Sequence, residues 1–504
     1  MRLFSAGLTE VGSGLFLGLD GVQIPLWENA ENILFDRWGA HPASGYSVYS
    51  YSTDLFDSLI GNFDSLVGNF DSLSSLVSIQ ASGDEITGLL QTLTTLGERV
   101  LFYGTREKLW RNLGTQTDVS STTYTGFQDS TSLAAATRWS MAAYGFFVFA
   151  TNGQDIPQIY KTGPTFIDVV DVQCTTAEIV RIIGPHVLLI NTSNGYNRVE
   201  WCAEDNVDIW NPATDPTAGN LTIRTIASPI IAAEPLLGNA LLLYHADGVN
   251  LLEYRGGQFL FSAPRGAKGI TAVSKNSVVA TGNVHWGLTQ DGIFRTDGRT
   301  FDWISYPQLG RWLRDNVNWE QKAKISGVHD AEQQLVKWSL PRNSTTNNIV
   351  LAVHYAKDEI RYATESSAFS VAIERGSLEA AFAGFANGTV LKFDTNVAPV
   401  PRVLETKALA CADSDRFKYL DIVRVLKTGT NFVAEIAFLD RIGDTPVWEP
   451  LSLSTTPTEL LAYTRREALY FKLRFTCADP NARWTITGLE LLGAMTGGRF
   501  YGAA

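Results

Sequence analysis

Between about residue 97 and residue 400 one local pattern keeps returning: an apolar strand-like run, a tight turn, then a second run carrying an aromatic residue. It reads RVLFYGTREKLWRN (99–112), FFVFATNGQDIPQIYKTG (146–163), HVLLINTSNGYNRVEW (186–201), ALLLYHADGVNLLEYRGG (240–257), HWGLTQDGIFRTDG (285–298) and AAFAGFANGTVLKFDT (380–395). Two further runs, QQLVKWSLP (333–341) and IVLAVHYAKDEIRYAT (349–364), fill the interval before the last of these. Asn152-Gly153, Asp247-Gly248, Asp291-Gly292 and Asn387-Gly388 sit at turns, where such residues take positive φ at little cost. Most units start roughly 40 to 55 residues apart, the length of a four-stranded propeller blade. The spacing predicts an all-β chain with a β-propeller of six to eight blades over residues 97–400. A β-sandwich also generates evenly spaced hairpins, but a stretch this long would need two or three copies of one.

Two regions fall outside the rhythm. Residues 401–504 hold longer alternating strands, in KYLDIVRVLKTGTNFVAEIAFLDR (418–441) and ALYFKLRFTCADPNARWTITGLELLG (468–493), which predict a separate β-sandwich. Pro399 and Pro401 mark the linker into it. Residues 1–96 are less regular and predict opening strands plus an insertion. That insertion contains FDSLIGN, FDSLVGN and FDSL over residues 56–73, a repeat that places Phe56, Leu59, Phe63, Leu66, Phe70 and Leu73 on one helical stripe. Gly61 and Gly68 weaken such a helix by roughly 1 kcal/mol each. The bland reading is a hairpin or helix packed on its own domain; the sharper one is a segment that meets its copies around an oligomer axis. Asp57, Asp64 and Asp71 accompany it without any Lys or Arg, which disfavours an anionic membrane.

The chain carries a formal charge of −12 and a pI near 5.1, which argues against wrapping nucleic acid, because phosphate neutralisation needs clustered Lys and Arg. Cys174, Cys202, Cys411 and Cys477 lie far apart with no CxxC, so buried reduced thiols are expected and no metal site. The N-terminus does not read as a signal peptide, and no run reaches the roughly 18 apolar residues of a membrane helix. Folding in a cytoplasm and no stable membrane association are therefore expected. Of the six histidines, His186, His245, His285 and His354 lie in or beside apolar runs and read as core residues. GxSxG, the P-loop and a strand-to-helix GxGxxG are all missing from the sequence. Asp205 and Asp208, flanked by Trp201 and Trp210, read as a capped turn between blades rather than an acid/base pair. A sialidase propeller would repeat Asp-box turns, whereas TQDGIFRTDGRTFDW (289–303) offers one inexact instance. These patterns predict no enzyme, no cofactor and no catalytic residue.

RWSMAAYGFFVFATNGQDIPQIY (138–160) resembles a segment of the tail hub or nozzle proteins of short-tailed bacteriophages. The resemblance continues at NRVEW (197–201) with DIW (208–210), at GNVHWGLTQDGIFRTDG (282–298), and at LGRWLRDNV (309–317), where that family carries a short amphipathic helix. It implies a virion structural protein, assembled in the host cytoplasm, that forms a hexameric ring below the head-to-tail adaptor ring. Its channel would contact double-stranded DNA transiently, for genome retention and ejection, and tail fibres or spikes would be further partners. An acidic lumen suits passing DNA. On that reading the FDSL stripe (Phe56, Leu59, Phe63, Leu66, Phe70, Leu73) is a candidate channel gate. The alternative function is a glycan-binding or glycan-cleaving propeller that recognises a receptor.

Overall fold

The computed structural model describes residues 84–113, 115–125, 138–236, 239–257, 260–304, 308–331, 334–356, 359–365, 368–373, 382–394, 402–409, 416–429, 432–441, 444–451, 453–455, 458–477 and 484–498, plus the backbone of short strands within residues 2–48 and 79–80. Its chain divides into two compact units, one of residues 47–349 and 368–393, the other of residues 1–46, 350–367 and 394–504.

The first unit is the propeller. Its innermost strands, here called A, are Gly88–Leu93, Ser140–Tyr144, Ala177–Ile183, Ile230–Leu236, Val278–Thr281, Ser326–Asp330 and Val371–Ile373. Each neighbours the next, and the last returns to the first, so seven blades close a ring. Outward from the axis, blade 1 continues with strand B (Arg99–Gly104), C (Leu109–Asn112) and D (Gln116–Asp118), all antiparallel. Blades 2 to 5 repeat that order, and blade 6 contributes Leu335–Leu340 as its strand B. In blade 7 the outer strand Thr389–Asp394 pairs with Gly45–Val48 and with Ile79–Gln80, so strands from before blade 1 complete the last blade.

The sequence explains this layering. Strands B such as His186–Thr192 and Ala240–His245 are apolar almost throughout instead of alternating, because neighbouring blades bury both of their faces. Between blades 3 and 4, for example, Leu188, Ile190 and Trp201 pack with Leu241, Leu243 and Phe261. Each such side chain contributes roughly 1.5–3 kcal/mol on burial. The four turn pairs singled out in the sequence all occupy the same position, between strands B and C of blades 2, 4, 5 and 7. Gly153 and Gly388 there adopt φ of 80° and 81°, where a side chain would be strained.

The second unit is a sandwich of two sheets, antiparallel except where Glu359–Glu365 pairs in parallel with Trp27–Glu31. Arg416–Gly429 lies between Glu459–Ala468 and Trp484–Gly498 in one; Tyr470–Cys477 lies between Arg402–Thr406 and Val433–Leu439 in the other. Their facing sides share a core that includes Val423, Val425, Leu489, Leu404, Phe471 and Phe475. Three boundaries differ from the sequence reading. Residue 97 falls in the A-to-B turn of blade 1, because GLLQTL already supplies that blade's inner strand. Residues 350–367 group with the sandwich unit rather than with residues 97–349. Residues 1–46 likewise join the sandwich unit and are no separate domain: Arg2–Ala6 and Gly39–Pro42 pair with Trp484–Gly498, and Trp27–Glu31 pairs with Arg402–Thr406. Long strands left open at an edge need such partners.

Candidate functional site: the propeller axis

The inner strands of all seven blades enclose an axial cavity of ≈ 350 Å³. Leu89, Met141, Val279, Val328 and Val371 give it an apolar wall. Arg181 and Glu234, from blades 3 and 4, also face it and form an ion pair at 2.6 Å. Arg181 further donates to the Ala233 carbonyl at 2.7 Å and to Ser140 Oγ at 3.1 Å, so one guanidinium ties three blades.

Where the A strands begin, charged groups converge. Arg138, which is 3% exposed, bridges Glu85 at 2.9 Å and donates to the Ser370 carbonyl, joining the entries to blades 1, 2 and 7. Lys275 precedes strand A of blade 5, yet its Nζ lies 3.0 Å from Glu178 of blade 3 and donates to the Arg138 carbonyl at 2.8 Å. A side chain reaching from blade 5 to blades 2 and 3 crosses the ring. Burial lowers the Lys275 pKa, and the Glu178 carboxylate opposes that shift. Lys324, before blade 6, is lowered by burial too, with Glu85 opposing, and it donates to the Thr345 carbonyl at 2.7 Å. In this group Glu85, Glu178 and Glu234 each meet a cation. Such an arrangement fixes blades relative to one another; it leaves no carboxylate poised as a free base.

Several titratable residues elsewhere are similarly engaged. Asp205 accepts from Tyr144 Oη at 2.6 Å, whereas Asp208 pairs with Lys161 at 2.6 Å, and the Asn206 side chain caps the Asp208 N–H at 3.1 Å. The predicted capped turn therefore lies within blade 3, between its strands C and D, and fastens blade 3 to blade 2. His245 and His285 are fully buried, and desolvation lowers both pKa values. His285 sits between the Pro235 carbonyl and Tyr244 Oη, His245 between the Ser228 carbonyl and Asn250. His186 is buried against Tyr254 and Phe261, and His354 is half-buried in the sandwich unit. Cys174, Cys202 and Cys477 are buried and reduced; burial pushes the thiol of Cys174 up to about 12 and that of Cys202 to about 11. Cys411 lies outside the described residues. Among the described residues no group of three or more His, Cys, Asp or Glu is placed to hold a metal.

The six candidate gate residues, Phe56, Leu59, Phe63, Leu66, Phe70 and Leu73, lie outside the described residues. The axial charges were missed by sequence reasoning. Arg138 appears there only inside a resemblance, and Lys275 in AVSKNS carries no motif. Their one available signal is positional: a charged residue shortly before the inner strand of several repeats.

No known protein family matches the chain, and neither does any curated protein. Among solved structures it is similar to YCF48 from Cyanidioschyzon merolae, at 13% identity over 63% of this chain and 98% of that one, with a TM-score of 0.38. A catalytically inactive virginiamycin B lyase from Staphylococcus aureus matches at 12% identity over 63% and 97%, with a TM-score of 0.38. Sqt1 from Saccharomyces cerevisiae matches at 7% identity over 60% and 83%, again with a TM-score of 0.38. None of these likenesses bears on what the chain does.

Proposed function

We propose that this chain is a virion structural protein, a subunit of the tail hub or nozzle ring of a short-tailed bacteriophage. In that role it would join the head-to-tail adaptor and help form or close the channel through which the genome leaves. The observation that carries the reading is the tied axis: Lys275 and Arg138 cross-link blades at one end of a cavity of only ≈ 350 Å³. A propeller braced in this way acts as a rigid block, and its own axis is far too narrow for duplex DNA. A conduit must then be built between copies, which calls for a closed ring. The ordered resemblance to tail hub proteins supports the same role: its segments fall in turn on blade 2, blade 3, blade 5 and the helix Gln308–Asn316. In that helix Leu313 is buried and Arg314 bonds Asp291 at 2.9 Å, as an amphipathic helix docked on its own hairpin requires.

The test is the mass of the purified protein by light scattering and negative-stain imaging, alone and with an adaptor ring. A hexameric ring with a central hole is expected. A stable monomer that ignores the adaptor would overturn the proposal.

A further inference from the structure

On the propeller face that carries the A-to-B turns, blades 1 and 2 leave a cleft of ≈ 170 Å³. Thr92–Thr95 and Arg111 of blade 1 form one wall, and Phe146, Tyr160 and Thr162 of blade 2 form the other. Arg111 Nη1 donates to Tyr160 Oη at 2.5 Å, and the guanidinium stands 5.8 Å from the centroid of the same ring. Phe102 and Phe166 brace that ring at 5.0 and 5.4 Å, so the guanidinium is held in place before anything binds.

What Arg111 lacks is an anion. Its Nε is buried without an acceptor, and no carboxylate pairs with it among the described residues. A half-buried guanidinium without a carboxylate is costly, since taking a charge out of water is repaid only by good partners. Lys161, at the rim, is already held by Asp208 at 2.6 Å. Phe146 borders the cleft and is 52% exposed, so its ring is open to a ligand. Thr92, Thr95 and Thr162 complete the lining.

We propose that this cleft binds an acidic sugar, with its carboxylate on Arg111 and the C–H face of its ring on Phe146. Arginine suits a carboxylate because its planar fork donates two parallel hydrogen bonds. A saccharide ring offers an apolar face to an aromatic side chain while its hydroxyls meet the threonines. The cleft is smaller than the ~300–1,000 Å³ of drug-sized sites, so it accepts one ring rather than an extended chain. Among the described residues no Asp or Glu lines it, and without a carboxylate pair it binds the sugar without cleaving it.

Calorimetry and saturation-transfer NMR on the full chain, with glucuronate, glucose and inorganic phosphate as probes, test this. Glucuronate should bind, and glucose should bind about tenfold or more weakly than it. Arg111→Gln should weaken glucuronate about tenfold, towards the level of glucose. Phe146→Ala should weaken both sugars while leaving the melting temperature unchanged, because that ring is exposed. Absence of glucuronate binding would overturn the proposal, as would an Arg111→Gln protein that melts normally and binds glucuronate like the wild type. Phosphate binding as tight as glucuronate and indifferent to Phe146→Ala would also overturn it, leaving a bare anion site. None of these outcomes depends on whether the chain forms a ring.

Discussion

Lys275 shows how one residue can be asked to hold a ring together. Its ammonium reaches over the axis to Glu178 and the Arg138 carbonyl, so removing it cuts a tie between blades that are not neighbours. Breaking a fully buried pair costs ~3–5 kcal/mol, but Glu178 keeps 31% of its side chain in water. Lys275→Met should therefore lower unfolding free energy by about 2–3 kcal/mol in urea titrations. Adding Glu178→Gln should recover part of the loss, because the carboxylate left behind no longer needs a counter-charge. A single variant within about 0.5 kcal/mol of wild type would mean that the tie is ornamental.

At the scale of the blade, tight pairing of strands depends on glycine facing an aromatic ring. Gly287 on strand B of blade 5 stands directly opposite Phe294 on strand C, and a Cβ at Gly287 would lie 2.1 Å from Phe294 Cζ. Since Phe294 is 1% exposed, its ring has nowhere to go. Gly287→Ala should destabilise the protein by about 1–3 kcal/mol, the usual cost of overpacking, and Phe294→Leu in the same chain should relieve it. Thermal melts of the two variants check this, and an unchanged midpoint for Gly287→Ala would refute it. The hairpin carrying this pair was legible in the sequence, as were the others, because Asp291-Gly292 and its counterparts announce turns between apolar runs. The buried state of His245 and His285 was legible for the same reason, from the runs around them. Blade number was bracketed rather than fixed, since only ring closure of the inner strands makes it seven. Arg138, Lys275 and Arg111 were not legible as sites: each acquires its meaning from blades distant in sequence, and no local spacing records that.

For the whole molecule, the recurring device is closure by strands distant in sequence. The propeller joins Ile79–Gln80 to Thr389–Val390, and Ile86 packs with Val371, Phe382 and Val390 across the same seam. The sandwich does likewise, taking Arg2–Ala6 against Leu489–Leu492 and Trp27–Glu31 against Val403–Thr406. Reading residues 1–96 as opening strands plus an insertion left out the partners of Arg2–Ala6 and Trp27–Glu31, which lie some four hundred residues later, and no window of sequence shows both. This architecture makes residues 1–46 structural for one unit in particular. Deleting residues 1–46 strips paired strands from both sheets of the sandwich and leaves Trp484–Gly498 and Arg402–Thr406 with open edges. Ile79–Gln80 remain beside Thr389–Asp394, as do Ser47 and Val48 of the strand Gly45–Val48 that joins the same sheet, so the propeller ring can still close. Limited proteolysis of the truncated chain should then cut rapidly within 402–498 while 84–349 resists, and calorimetry should lose the sandwich transition and retain that of the propeller. Equal resistance of both regions would show that the two sheets hold without the N-terminal strands. Closure by strands distant in sequence would then be confined to the propeller.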